Sequence, residues 1–221
     1  MRLKPCPDIS NNINLIDKID VRLFELIAND LTQQGYSIVP NALPPELLDV
    51  LFSYQQNLTP NKYAGAGIGR KEDYTKIMSI RSDEISWITN DSNAGVLWLD
   101  WVFKLQSYLN QRLFLGLSTF ESHFAHYSPG SFYKRHFDAF QGEANRVLTV
   151  VAYLNPDWNN NDSGEFVLYR DEQDHEGIKV TPNYGTVVVF LSEDFPHEVL
   201  PSTKNSFSIA GWFRVNTSQF T

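Results

Sequence analysis

His136 and Asp138 are the residues of this 221-residue chain whose types and spacing most directly allow chemistry. They lie in Tyr133-Lys134-Arg135-His136-Phe137-Asp138, and an i, i+2 spacing in an extended strand puts both side chains on one face. A neutral imidazole beside a carboxylate supplies two-thirds of the facial triad that holds non-haem Fe(II) and leaves coordination positions open. The third ligand must be a histidine from a distant strand, and His197 in Phe195-Pro196-His197-Glu198-Val199 suits that role. The same pair also fits a strand-end histidine salt-bridged to its neighbour, since an isolated H-x-D occurs by chance in many chains. The remaining three of the five histidines have structural readings. His123 and His126, three apart in a strand, point to opposite faces, and His175 sits solvated in the acidic loop 171–176.

The surrounding motifs carry a resemblance. Tyr127-Ser128-Pro129-Gly130-Ser131-Phe132-Tyr133-Lys134 precedes the H-x-D. Val147–Tyr153 runs into Leu154-Asn155-Pro156-Asp157-Trp158 and then Ser163-Gly164-Glu165. His197-Glu198-Val199-Leu200-Pro201 and Ile209-Ala210-Gly211-Trp212-Phe213-Arg214 follow in order. Together these resemble the 2-oxoglutarate-dependent prolyl hydroxylases. Ile80-Arg81-Ser82-Asp83-Glu84-Ile85-Ser86-Trp87-Ile88 looks like a segment of the hypoxia-inducible-factor type and its bacterial relatives. The likeness covers roughly residues 36 to 215.

It implies a double-stranded β-helix (jelly roll) in which His136, Asp138 and His197 hold catalytic Fe(II). 2-Oxoglutarate would chelate the iron through its keto acid, with O2 as the other co-substrate, succinate and CO2 as co-products and ascorbate as a reductant. The protein supplies open positions and orientation while the cofactor supplies the hard chemistry. By position, Tyr127 and Tyr153 match tyrosines that hydrogen-bond the co-substrate, and Thr149, Phe166 and Trp212 match its pocket wall. Arg135 or Arg214 would lie near the entrance. The implied substrate is a proline in a protein or peptide, with a translation factor as one candidate partner.

One position departs from the pattern. The family's far-carboxylate cation is usually an arginine nine residues after the second histidine, and here that position is Ser206. A hydroxyl supplies one hydrogen bond and no charge, whereas a buried unpaired carboxylate is costly. Lys204, two residues back and so on the same strand face, would reach across about 7 Å with its long stem. A cation from another strand, such as Arg146, is a second reading. A third is that co-substrate binding is lost and the chain is a metal-retaining binding module. A related oxygenase acting on another side chain or a small molecule also fits the triad. A cupin-type metal enzyme would want a further ligand near the H-x-D, where only Glu143, in a polar turn, is at hand.

These residues need a scaffold, and the apolar period changes along the chain to provide one. Ile16, Ile19, Leu23, Leu26 and Ile27 follow a helical period up to about Leu31, with Gly35 as a stop. Tyr36–Pro40 reads as a short strand, Pro44 to about Leu58 as a helix, and 93–113 as a third helix with a broad apolar stripe. From residue 120 the runs 120–127, 132–137, 147–154, 166–169, 178–180, 186–191, 198–200 and 207–215 read as eight strands between turn-rich segments. That pattern predicts an α+β, mainly β fold, an antiparallel jelly roll with N-terminal and buttressing helices. Residues 1–221 are expected to form a single oxygenase domain, with 1–35 as a helical N-terminal extension. Gly65-Ala66-Gly67-Ile68-Gly69 lacks phosphate-loop spacing and reads as a loop, and 63–76 matches the lid of the resembling family.

Composition narrows the partners. With 18 basic against 26 acidic side chains the formal charge is −8, too acidic for a phosphate-backbone partner such as nucleic acid. Cys6 is the only cysteine, so neither a disulfide framework nor a cysteine zinc site is expected. The opening MRLKPCPDIS lacks a signal peptide's apolar stretch and no run suits a membrane span, which predicts a cytoplasmic protein without a membrane partner.

Overall fold

Side-chain alternation on the strand Arg146–Tyr153 shows how the layers are built. Leu148, Val150 and Ala152 point into a core shared with the helices, while Thr149, Val151 and Tyr153 line a cavity on the opposite face. The computed structural model describes residues 10–58, 64–65, 80–139 and 145–216, with the backbone alone for 10–20 and 64–65. Glu143, Cys6, most of the Gly65–Gly69 loop and most of the expected lid 63–76 lie outside the described residues.

In chain order the elements are α1 (Ser10–Gln34), β1 (Tyr36–Val39), α2 (Pro45–Gln56), β2 (Ala64–Gly65), β3 (Glu84–Trp87), α3 (Asn93–Leu113), β4 (Thr119–Tyr127) and β5 (Tyr133–His136). There follow β6 (Arg146–Tyr153), β7 (Phe166–Leu168), β8 (Ile178–Val180), β9 (Val187–Leu191), β10 (His197–Val199) and β11 (Ser206–Arg214). Gly35 ends α1 at φ +80°, its N–H donating to the Leu31 carbonyl, a backbone position that favours glycine. Ser92 caps α3 by accepting from the Gly95 N–H at 3.0 Å.

Two antiparallel sheets result. The larger has the order β1-β9-β6-β11-β4-β3-β2, and the smaller β5-β10-β7-β8. Helices α1, α2 and α3 cover the outer face of the larger sheet, burying Phe24, Leu51, Trp98 and Leu105 against Leu148, Val189, Ile209 and Phe213. α1 therefore joins the core through Phe24, Ile27, Ala28 and Leu31. A second apolar cluster, including Val188, Phe190, Phe166 and Leu168, fills the space between the sheets. This is the expected mainly β jelly roll with helical buttress. The eight strands read from residue 120 onward are all present within a residue or two. β3 was not foreseen, because the polar, charged IRSDEISW segment masks a four-residue strand paired to β4. Among the described residues no helix is long and apolar enough to cross a membrane.

Candidate active site

Pairing of β5 with β10 aligns His136 directly with His197, and the chain turns after β5 so that Asp138 meets both. His136 Nε2 lies 3.6 Å from Asp138 Oδ1, and His197 Nε2 lies 3.5 Å from Asp138 Oδ2. The ligand atoms of the three residues fall within 4.8 Å of one another. Each imidazole is oriented by a backbone carbonyl: His136 Nδ1 is 2.8 Å from the Lys134 oxygen and His197 Nδ1 is 3.1 Å from the Phe195 oxygen. A carbonyl only accepts, so the proton sits on Nδ1, and in the neutral ring Nε2 presents a lone pair toward Asp138. Lone pairs from two imidazoles and a carboxylate thus converge, an arrangement that a cation resolves. The donor set fits a divalent transition metal.

Electrostatics favour the same state. Burial pushes the His197 pKa down to about 4, so its imidazole is neutral near pH 7. Burial by itself would raise Asp138. In acid, where the adjacent histidines carry protons, their charge and the Thr149 hydroxyl, which donates to Oδ2 at 2.7 Å, outweigh it and hold the carboxyl well below its ordinary range. Arg146 donates to the Asp138 carbonyl at 3.3 Å, and the Tyr133 ring stacks on His136 with centroids 3.6 Å apart.

A cavity between the sheets opens from this centre. It is lined by Tyr127, Thr149, Tyr153, Phe166, Ser206 and Trp212, all singled out in the sequence, together with the triad. Lys204 is not among the lining residues. Its Nζ pairs with Asp162 Oδ2 at 2.7 Å, donates to the Asp157 carbonyl at 3.0 Å and sits 4.7 Å from the Trp158 ring centre. The expectation of a shared strand face fails because β11 begins only at Ser206. Lys204 belongs to a bend closed by the Ser202 hydroxyl on the Lys204 carbonyl, where two-residue alternation does not run. Arg146 is also engaged elsewhere, with Glu121 at 3.0 Å and over the Trp212 ring at 4.0 Å.

Neither entrance arginine is free. Arg135 is pinned over Tyr169 and to the Asp171 and Asp174 carbonyls, and Arg214 pairs with Glu121. Further lining residues that were not assigned from sequence include Arg81, Tyr133 and His123. An isolated bridge between Arg81 and Tyr133 brings the first to the cavity, where it forms a two-pronged pair with Asp83 at 2.7 and 2.6 Å. The i, i+2 charge pair in Ile80-Arg81-Ser82-Asp83 was the available signal. His123 lies buried between Trp87 and Trp212.

A jelly roll presenting two histidines and one carboxylate at the head of a buried cavity is the site of a mononuclear non-haem iron protein. Comparison with known proteins agrees. The model of the 2OG-Fe(II) oxygenase superfamily matches residues 122–214. A solved prolyl-4-hydroxylase from Pseudomonas putida is 34% identical, superposes with a TM-score of 0.76, and the match covers 87% of this chain and 99% of that one. A prolyl hydroxylase from Trichoplax adhaerens, solved with a hypoxia inducible factor peptide fragment, is 28% identical with a TM-score of 0.73, over 90% and 92% of the two chains. Human Egl nine homolog 1 is 28% identical over 162 residues, which is 67% of this chain but only 36% of that protein's length. The chain belongs to the 2OG-Fe(II) oxygenase superfamily, within its prolyl hydroxylase family. The family's cofactors are Fe(II), 2-oxoglutarate and O2, and the His136, Asp138 and His197 donor set is of the kind that holds the iron.

Proposed function

We propose that this protein is an Fe(II)- and 2-oxoglutarate-dependent dioxygenase that hydroxylates a prolyl residue of a protein or peptide. The observation that carries the reading is the convergence of His136, Asp138 and His197 on one point, with open cavity before them. When bound, iron and the 2-oxo acid supply the oxidation in which R–H, 2-oxoglutarate and O2 become R–OH, succinate and CO2.

The chain's own residues do the positioning. The Lys134 and Phe195 carbonyls fix the ring planes of His136 and His197, and Thr149 fixes the Asp138 carboxylate. Tyr127 and Tyr153 are the proposed hydrogen-bonding contacts for the 2-oxo acid, with Thr149, Phe166 and Trp212 as its walls. Phe166 and Phe190 press on His197 at centroid distances of 5.3 and 4.9 Å, which keeps water from that ligand. Ascorbate as reductant and a cytoplasmic location go with this reading. The Trichoplax relative was solved with a peptide, which supports a polypeptide substrate here too. The narrower partner, a translation factor, belongs in the first substrate panel.

The test is product analysis. Proline-containing peptides, those of translation factors among them, are incubated with the Fe(II)-loaded protein, 2-oxoglutarate and air. A mass gain of one oxygen on proline is the expected result. Oxygen placed on a different side chain would replace the prolyl assignment.

A further inference from the structure

The inward positions of β4, β6 and β11 run in register away from the metal ligands. Trp212 is paired with Thr149, which holds Asp138, and Ala210 with His123. At the other end Ser208 is paired with Tyr153 and Ser206 with Tyr127. From Thr149 to Tyr153 is four residues, about 13 Å along the strand. The far end of the cavity is therefore bounded by four hydroxyls, Tyr127, Tyr153, Ser206 and Ser208, none of them more than 7% exposed.

These hydroxyls are built to receive something. The Tyr153 hydroxyl is buried without a hydrogen-bond partner, the mark of a group awaiting a ligand. Ser206 Oγ accepts from Asn155 Nδ2 at 3.5 Å, and Asn155 is itself fixed by the Pro182 carbonyl and the Phe207 N–H. With that lone pair occupied, the Ser206 proton is left to donate into the cavity. Among the described residues lining the cavity the only Lys or Arg is Arg81, whose guanidinium is already committed to Asp83 in two hydrogen bonds.

We propose that the far end of the cavity is a neutral hydroxyl cage that holds the tail of the 2-oxo acid by hydrogen bonds alone, so the chain distinguishes a terminal carboxylate from a terminal amide only weakly. The inference rests on the function proposed above. Both tails present an acceptor oxygen to Tyr153 and Ser206. A carboxylate also brings a charge whose desolvation no unpaired cation among the described lining residues offsets, and an amide does not. A charged pair would tip the balance strongly to the dicarboxylate, and hydroxyl donors do so little.

Anaerobic titration of the Fe(II)-loaded protein reads this without turnover. 2-Oxoglutarate and its terminal amide, 2-oxoglutaramate, are added separately, and the visible charge-transfer band and heat of binding are followed. The expected result is half-saturation concentrations within about tenfold of each other. Ser206→Arg is expected to widen the preference for 2-oxoglutarate by more than about tenfold. Should that variant not fold, the two wild-type titrations decide alone. A wild-type preference for the dicarboxylate above tenfold overturns the hydroxyl cage and leaves the proposed function standing. No band with either compound, with iron demonstrably bound, overturns both.

Discussion

Thr149 donates its hydroxyl to Asp138 Oδ2 at 2.7 Å, and since its single proton is thus used, Ser192, 2.9 Å away, must donate to Thr149. A relay from Ser192 on the loop after β9 therefore fixes the carboxylate of the metal centre. Thr149→Val keeps the volume and removes the donor. Outer hydrogen bonds of this kind are worth about 10- to 100-fold in metal affinity. Titration of the variant with Mn(II) or Fe(II) is expected to show a weakening in that range, with the melting temperature little changed. Unaltered affinity would mean that Asp138 is held by its histidine neighbours alone.

The Arg81–Asp83 pair makes a second prediction. Asp83 is 3% exposed, and burial works against the guanidinium's charge while Asp83 sustains it. Asp83→Ala leaves that charge unpaired beside the cavity, which costs about 3–5 kcal/mol. Denaturant unfolding should report the loss, and the double variant Arg81→Met with Asp83→Ala should recover part of it. Equal stability of the single variant and its parent would contradict the account.

Lys204 is expected to be indifferent to co-substrate. Its partners are Asp162, the Asp157 carbonyl and the Trp158 ring, all in the turn after β6. Lys204→Ala should leave the half-saturation concentration for 2-oxoglutarate unchanged and perturb only the local turn. A large rise in that concentration would restore the cation reading of this residue.

The metal-free protein should lose stability in acid through His123. Burial first, and the Arg81 charge second, lower its pKa to about 4 from an unfolded value near 6.5. Above pH 6.5 both states are neutral and nothing is gained or lost. Between pH 6.5 and about 4 the unfolded chain takes up a proton that the folded imidazole refuses, so stability falls as pH falls and the loss levels off below about 4. The full effect is on the order of 3 kcal/mol. Denaturant midpoints measured across this range should fall less steeply for His123→Leu than for the parent. Parallel curves would show that His123 is not the group responsible.

The fold was readable in the sequence wherever packing alone decides the element. The near-continuous apolar run Val147–Tyr153, buried on both faces, and the apolar stripe of 93–113, buried on one, both appear with their boundaries nearly intact. The triad was readable because the H-x-D spacing keeps Asp138 beside His136 even though the chain bends after β5, and His197 stands opposite His136. Lys204 was misplaced because alternation was extended through Pro201–Asn205, which is a bend rather than strand. Arg81 was missed because nothing local ties β5 to a residue some fifty positions earlier; the bridge to Tyr133 is tertiary. His123 was set aside for lacking a histidine on its own face, yet its face is the cavity wall.

The central claim is oxygenation coupled to decarboxylation, and isotopic oxygen tests it most directly. The Fe(II)-loaded protein would be supplied with 18O2, 2-oxoglutarate and a proline peptide, and both products weighed. One labelled atom in hydroxyproline and one in succinate, formed in equal amounts, is the predicted result. Succinate formed without labelled peptide, or a peptide oxygen drawn from water, would contradict it.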